Sequence, residues 1–262
     1  MSFVWSEKHI EEYWHHGVTV FRGILPPSLL TDLRTMAEKG RAITRAKHGP
    51  QAQRLQPISG HEGYDVSAFD DFLTHPPLVD ALKKVLSPRH EPSAASHTGI
   101  FYEPANEPWC TGWHRDITAQ SAGVDAQEFA LLERDPTFFT QVNCALYTDV
   151  STWYVPGSDG RPNLDAEVEA AKHQPDLEGK SSAERERLCL AYCQSMPNAV
   201  QLVLEAGDYA LYRPNGWHIG SYAPYRRRET IHTGVWKPET AAWYVKWYKN
   251  LAAERAKASA EE

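Results

Sequence analysis

Residues 138–150 read FFTQVNCALYTDV, an apolar and β-branched run that predicts a buried strand and decides the fold class. Three other segments are also rich in apolar and β-branched residues: HTGIFYE (97–103), AVQLVLEAGDYALYRP (199–214) and ETIHTGVWKP (229–238). Each segment is bounded by Pro, Gly or Asp, residues that favour turns. The sequence therefore predicts a core of short strands from about residue 93 onward.

Helical patterns precede this core. Apolar residues at helical spacing predict helices over 6–15, 28–46 and 77–86, with a strand over 18–25 after the first of them. Helix-forming residues also predict a C-terminal helix at about 241–258. We therefore expect a mainly β fold with flanking helices, built as one domain over residues 1–262.

One polar, helix-favouring stretch, at about 161–196, interrupts the strands. It is too long for an ordinary connection between strands. We interpret it as a helical insertion that could form a lid over a binding site.

Composition restricts the class of protein. Of 262 residues, 42% are hydrophobic and 23% are charged, as in a globular protein, and no run approaches 18 apolar residues. The formal net charge of −7 argues against a nucleic-acid partner. The first residues lack the pattern of a secretory signal, so we expect a cytoplasmic protein with a small-molecule partner and no membrane contact. The oligomeric state is not predicted.

The tripeptide His114-Arg115-Asp116 carries the first chemical signal. In an extended strand, residues i and i+2 point to the same face, so His114 and Asp116 can offer a nitrogen and an oxygen to one point. Alone this pattern is weak, because a surface strand often carries both residue types. His218 supplies a third ligand, with His97 and His232 as alternatives that ordinary packing explains better. Two histidines and one carboxylate leave positions open on an octahedral ion and suit non-haem Fe(II) and O₂.

Arg228 begins a strand pattern ten residues after His218. A guanidinium there could hold the far carboxylate of 2-oxoglutarate through a bidentate pair, while the keto acid end binds iron. Strand alternation puts Arg228 on the same face as Thr230 and His232. The competing interpretation is a solvated turn formed by Arg226, Arg227 and Arg228.

With these residues the chain resembles the phytanoyl-CoA dioxygenase family of Fe(II)- and 2-oxoglutarate-dependent oxygenases. The resemblance covers roughly residues 8–236 and is carried, in order, by VTVFRGILPPSLLTDLRTMAE (18–38), PPLVDALKKVL (76–86), WHRD (113–116), FTQVNCALYTD (139–149), YVPGS (154–158) and GDYALYRPNGWH (207–218). It implies a double-stranded β-helix, also called a jelly roll or cupin-like fold. It also implies that His114, Asp116 and His218 bind iron and that Arg228 binds 2-oxoglutarate.

One departure from the family pattern and one agreement with it bear on the site. Glu103 precedes Pro104 where the family often has Lys, so a second basic contact to 2-oxoglutarate is not expected from this strand. Asp116 is a carboxylate, which argues against the related halogenases, because these have Gly or Ala at that position.

Further residues are candidates for the site. Tyr102, Thr111, Gln141 and Asn143 could contact 2-oxoglutarate, although packing or a structural hydrogen-bond network explains them as well. Two aromatic residues before a loop, Trp153 and Tyr154, could line a substrate pocket.

The sequence thus predicts a dioxygenase that uses Fe(II), 2-oxoglutarate and O₂ to oxidise a C–H bond of a small organic molecule, with release of succinate and CO₂. The chemistry is centred on iron, and no separate acid or base residue is expected. The alternatives are a cupin-like metalloenzyme without 2-oxoglutarate and a β-barrel that binds a small ligand without turnover. Neither alternative needs Arg228.

Overall fold

The structure is a computed structural model that describes residues 3–119 and 123–261, with side chains of the last helix described up to residue 249. Its helices, in chain order, are α1 (Lys8–His16), α2 (Pro27–His48), α3 (Ser67–Leu73), α4 (Pro76–Val85), α5 (Ala126–Glu133), α6 (Asp165–Lys172), α7 (Ser182–Ser195) and α8 (Pro238–Glu261). The predicted helices over 6–15, 28–46 and 77–86 correspond to α1, α2 and α4.

The strands form two main antiparallel sheets and one short pair. In chain order they are β1 (Val18–Phe21), β2 (Arg54–Leu55), β3 (Glu91–Pro92), β4 (Gly99–Tyr102), β5 (Trp109–Cys110), β6 (Gln141–Ala145), β7 (Thr152–Tyr154), β8 (Val200–Gln201), β9 (Tyr209–Tyr212), β10 (His218–Tyr222), β11 (Glu229–Thr233) and β12 (Val235–Trp236). The large sheet has the order β1-β9-β6-β11-β4-β2, the small sheet has the order β5-β10-β7-β8, and β12 pairs with β3.

The large sheet buries one face against the N-terminal helices. Val142 and Cys144 of β6 and Ile231 of β11 join a core cluster with residues of α2, α3 and α4. Because side chains alternate along a strand, Gln141, Asn143 and His232 point to the other face. That inner face is turned toward the small sheet, and a cavity lies between the two sheets.

The small sheet is covered on its outside by the segment 161–196. Helix α7 packs against β5 and β10 and buries Cys189, Tyr192 and Cys193 beside Trp113 and Trp153. A capping box at Ser181 and Glu184 fixes the start of this helix. None of the described residues of 161–196 lines the cavity between the sheets, so this packing does not support the interpretation of the segment as a lid.

The expectation of a mainly β protein is wrong, and the chain is a mixed helix and sheet protein with antiparallel sheets. Its strands are short, with at most five residues, whereas α2 has 22 residues and α8 has 24. The β character of the sequence was concentrated in the part that forms the core, but the covering layers are helical. Among the described residues, none of the helices combines the length and the apolar character needed to span a bilayer.

Candidate functional site

His114 and His218 are neighbours because the backbone pairs them. His218 is the first residue of β10, and His114 forms an isolated antiparallel bridge with it just after β5. The His114 N–H donates to the His218 carbonyl at 3.1 Å, and the His218 N–H donates to the His114 carbonyl at 3.0 Å. The Asp116 N–H donates to the Pro214 carbonyl at 3.1 Å. The tripeptide therefore lies in a bridge and a bend, not in the regular strand that the sequence suggested, but its two ligand side chains still converge.

Both imidazoles are held in one tautomer by the chain itself. The Nδ1 atom of His114 lies 2.7 Å from the Gly112 carbonyl oxygen, and that of His218 lies 2.9 Å from the Gly216 carbonyl oxygen. A carbonyl can only accept, so each Nδ1 carries the hydrogen and each Nε2 keeps a free lone pair. This is the arrangement that metal-binding histidines show.

The two Nε2 atoms meet the carboxylate of Asp116. His114 Nε2 lies 3.3 Å from one Asp116 oxygen, and His218 Nε2 lies 3.5 Å from the other. One ligand atom from each of the three residues lies within 4.8 Å of the other two. Two neutral imidazoles and one carboxylate at this spacing fit the donor set of a non-haem Fe(II) centre.

The charge of the Asp116 carboxylate favours binding of a cation by these three residues. Burial would raise the pKa of the Asp116 carboxyl, but the hydrogen bonds and positive charge that His114 and His218 supply when their Nε2 atoms carry a proton lower it well below its usual range. Burial would lower the pKa of the His114 imidazole, but its contact with Asp116 outweighs this and raises it. The carboxylate is therefore ionised at neutral pH and attracts positive charge.

The three residues line a cavity of about 490 Å³ between the sheets. This volume is in the range of small-molecule sites. The large sheet contributes Phe101, Gln141, Asn143, Tyr212, Arg228 and His232 to its wall. The small sheet and the loop before it contribute Thr111, Thr152, Ile219, Gly220 and Tyr222. Helix α8 and the preceding strand contribute Trp236, Tyr244, Trp247 and Tyr248.

Arg228 is buried at the wall of this cavity. Its Nε donates to Asp149 Oδ2 at 3.1 Å, and Thr230 Oγ1 donates to the same carboxylate oxygen. The guanidinium carbon lies 4.9 Å from the ring centre of Tyr222 and 5.2 Å from that of Phe101. Burial would raise the pKa of Asp149, but the charge of Arg228 and hydrogen bonds from Ser151 and Thr230 lower it. Arg226 and Arg227 are exposed, so the solvated-turn interpretation applies to them and not to Arg228.

A chain of polar side chains crosses the inner face of the large sheet. His232 is half-buried, and loss of hydration around its ring lowers its pKa to about 3 and keeps the imidazole neutral. Its Nε2 accepts from the Gln141 amide at 2.8 Å, and its Nδ1 donates to Asn143 Oδ1 at 3.0 Å. The Asn143 amide then donates to Thr152 Oγ1 at 3.0 Å. Gln141 and Asn143 thus line the cavity and form a structural network, and His232 is committed to them rather than to the three-residue cluster.

The structure corrects three candidates. The hydroxyl of Tyr102 donates to the Ala37 carbonyl at 2.9 Å, so this residue faces α2 and is absent from the cavity wall. Trp153 packs with the residues under α7, and the buried Tyr154 hydroxyl donates to Asp159 and to the Arg213 carbonyl. Of β7, Thr152 lines the cavity, whereas Tyr154, which alternation puts on the same face, is absent from the cavity wall. Thr111 lies on the wall as expected, where its hydroxyl accepts from the Gly220 N–H at 3.1 Å.

Several residues on the wall were missed. Arg54 lies on the two-residue strand β2, which is too short to leave a periodic signal. Tyr222 was not singled out on the wall, and neither was Asp149, the buried partner of Arg228 that stands at the end of the quoted strand motif. The aromatic residues of α8 carried a signal in their density along the sequence WYVKWY. Glu103, which stands where the family often has Lys, instead accepts from Arg41 and Arg45 and from the Arg228 N–H, away from the cavity.

The chain matches the phytanoyl-CoA dioxygenase (PhyH) family over residues 13–223, four fifths of its length. It belongs to that family. Phytanoyl-CoA dioxygenases are iron- and 2-oxoglutarate-dependent, and the chain is accordingly an oxidoreductase that uses Fe(II), 2-oxoglutarate and O₂. No curated protein matches the chain by sequence.

Solved structures show the same fold at low identity. AviO1 from Streptomyces viridochromogenes Tue57 is 15% identical with a TM-score of 0.58, and the match covers 88% of this chain and 94% of AviO1. EctD from S. alaskensis, solved with 2-oxoglutarate and 5-hydroxyectoine, is 14% identical with a TM-score of 0.59, covering 90% of this chain and 77% of EctD. SnoN, an epimerase solved with Fe³⁺, α-ketoglutarate and nogalamycin RO, is 14% identical with a TM-score of 0.53, covering 88% and 83%. SnoN and EctD were solved with α-ketoglutarate or 2-oxoglutarate, in agreement with the family match.

Proposed function

We propose that His114, Asp116 and His218 hold the Fe(II) ion of this dioxygenase and that Arg228 holds 2-oxoglutarate, in the oxidation of a C–H bond of a small organic molecule. The observation that carries this proposal is the convergence of three ligand atoms within 4.8 Å, with both imidazole Nε2 lone pairs free. When bound, Fe(II) and 2-oxoglutarate would activate O₂, with succinate and CO₂ as co-products. The substrate C–H is hydroxylated or otherwise oxidised.

The chain fixes the ligands before any ion arrives. The reciprocal backbone bonds between His114 and His218 set the distance between the two histidines, and the carbonyls of Gly112 and Gly216 set the ring rotations. Preorganisation of this kind lowers the cost of ordering the ligands on binding. The Asp116 carboxylate supplies the negative charge that favours a cation.

Arg228 is suited to the far carboxylate of 2-oxoglutarate. Its Nε is held by Asp149, and the ring faces of Tyr222 and Phe101 restrict the plane of the guanidinium. A buried, oriented guanidinium gives a charge-assisted and geometrically specific contact to a carboxylate. Thr111, Gln141 and Asn143 lie on the same cavity wall and would complete the surroundings of the co-substrate.

The arrangement of the sheets supports a double-stranded β-helix as the fold. Two antiparallel sheets enclose the proposed site, and the ligands stand where β10 begins and where the chain passes the end of β5. We also propose that residues 1–262 form one oxygenase domain and that the protein is cytoplasmic, as the sequence predicts.

The two alternative functions differ from the proposed one in that neither needs Arg228. A cupin-like metalloenzyme without 2-oxoglutarate would need the three ligands but not Arg228, and a binding barrel without turnover would need neither. The buried position of Arg228 on the wall of the same cavity favours the 2-oxoglutarate-dependent reaction.

An anaerobic titration tests this proposal. Protein is titrated with Fe(II) and then with 2-oxoglutarate, while the visible absorption is recorded. We expect a charge-transfer band that needs both additions, is absent in Arg228→Gln and is retained in the exposed control Arg226→Gln. A band in Arg228→Gln with unchanged affinity for 2-oxoglutarate would contradict the assigned role, and no band in the wild type would contradict the proposed function.

A further inference from the structure

Arg54 places a second guanidinium on the cavity wall. Its guanidinium carbon lies 4.9 Å from the ring centre of Phe101, the ring that also faces Arg228 at 5.2 Å. The two arginines differ in depth, because Arg54 is exposed whereas Arg228 is 7% exposed. Arg54 therefore stands nearer to the opening of the cavity.

The guanidinium of Arg54 is held in place on one side only. Its Nε donates to Gln56 Oε1 at 2.6 Å, and its Nη2 donates to the same oxygen. Gln56 is itself anchored, since its amide donates to the His97 carbonyl at 3.0 Å. The backbone register of Arg54 opposite Phe101 fixes the base of the side chain. Its Nη1 group finds no hydrogen-bond acceptor among the described residues, and it remains available to a ligand.

Arg54 also lacks a carboxylate partner. Arg228 pairs with Asp149, and Arg41 pairs with Glu103 and Glu229, but no ion pair joins Arg54 to a described acidic residue. Although the residue as a whole is exposed, loss of hydration around its guanidinium lowers its pKa, and the more distant charge of Asp116 does not offset this. A guanidinium without a counter-ion gains a charge-assisted hydrogen bond when it binds an anion.

We propose that Arg54 binds a carboxylate of the organic substrate and that this substrate has an aromatic or other apolar body. This inference rests on the proposed function and names the substrate class for the same site. The carboxylate would sit at the Nη1 side of Arg54, with the remainder of the molecule in the cavity between Arg54 and the three-residue cluster.

The body of the substrate is inferred from the opposite wall. Helix α8 and β12 bring aromatic rings to the cavity, with Trp236 and Tyr244 stacked at 4.5 Å between ring centres and Tyr244 and Tyr248 at 6.2 Å. Tyr248 and Arg54 line the same cavity. Such rings bind flat or apolar groups well.

The test compares ligands that differ only in charge. Phenylacetate, 3-phenylpropionate and 4-phenylbutyrate are titrated by calorimetry into anaerobic protein loaded with Fe(II) and 2-oxoglutarate, together with the matching primary amides. In the wild type we expect the best acid to bind about tenfold or more tightly than its amide, the size of one charge-assisted contact. Arg54→Gln should reduce this ratio to about one, while the exposed control Arg89→Gln leaves it unchanged. Tyr248→Ala should weaken acid and amide alike.

The outcomes separate this proposal from the proposed function. Equal binding of acid and amide by the wild type, or no binding of any acid of the series, would overturn it. An unchanged ratio in Arg54→Gln, with weaker binding of 2-oxoglutarate, would show that Arg54 serves the co-substrate instead. If the wild type fails to bind 2-oxoglutarate the proposed function fails, and the acid-to-amide ratio measured with Fe(II) alone still reports on Arg54.

Discussion

His114 and His218 stand opposite each other in a reciprocal pair of backbone hydrogen bonds, with their ring centres 4.3 Å apart. The backbone therefore sets the distance between the two imidazoles, and the rings themselves add little to the pairing. We predict that His114→Ala and His218→Ala leave the melting temperature of the metal-free protein within about 3 °C of the wild type, since the backbone bonds remain. Loss of a cooperative thermal transition in both variants would contradict this.

Gly220 allows Tyr222 to reach Arg228. A Cβ added at Gly220 would lie 1.8 Å from the Tyr222 hydroxyl and 2.3 Å from its ring, so the ring must move. Because that ring flanks Arg228, we predict that Gly220→Ala weakens 2-oxoglutarate binding by about tenfold, the size of one cation–π contact. The anaerobic titration measures this. Gly160→Ala, where an added Cβ meets nothing, is the control and should bind normally.

Asp149 is the buried counter-ion of Arg228. We predict that Asp149→Asn lowers the free energy of unfolding at pH 7 by about 3 kcal/mol, because it leaves a buried charge without its partner. The pKa of Asp149 is lowered in the folded state, so its contribution is present above the ordinary carboxyl pKa and is lost as the pH falls through the folded value. Urea unfolding at several pH values measures both effects. The exposed pair Lys84–Asp80 supplies a control, since Asp80→Asn should change stability little at any pH.

His232 predicts a second dependence on pH. In the unfolded chain the imidazole takes up a proton below its ordinary pKa, but burial in the fold lowers that pKa to about 3. Stability therefore falls as the pH drops below about 6.5, by about 2 kcal/mol at pH 5. His232→Asn, which keeps a donor toward Asn143, should remove this part of the slope. A slope that is the same in the variant, or that is removed equally by exposed His173→Asn, would contradict the buried neutral state.

The site residues with short-range signals were predictable from the sequence. The i, i+2 spacing brought His114 and Asp116 together, and the alternation of β11 placed Arg228 and His232 on one face. This logic needs only the period of a strand. It holds for β11, whereas His114 and Asp116 converge through a bridge and a bend and not through a regular strand.

Strand alternation did not predict which part of the protein packs against each face of a strand. Tyr102 is on a strand as expected, but its side chain meets α2 and not the cavity. Trp153 and Tyr154 meet α7 and the loop at Asp159, since the insertion covers that part of the small sheet. Arg54 reaches the cavity through the pairing of β2 with β4, a contact between distant parts of the chain that no local pattern predicts.

The central claim is that His114, Asp116 and His218 bind one Fe(II) ion together. Equilibrium dialysis under anaerobic conditions measures this directly in folded protein. We predict one bound Fe(II) per wild-type chain. The affinity should fall at least tenfold in His114→Ala, Asp116→Ala and His218→Ala, about the effect of removing one metal ligand or its support. The control His97→Ala should bind Fe(II) normally. Unchanged Fe(II) binding in any one of the three variants would contradict the account.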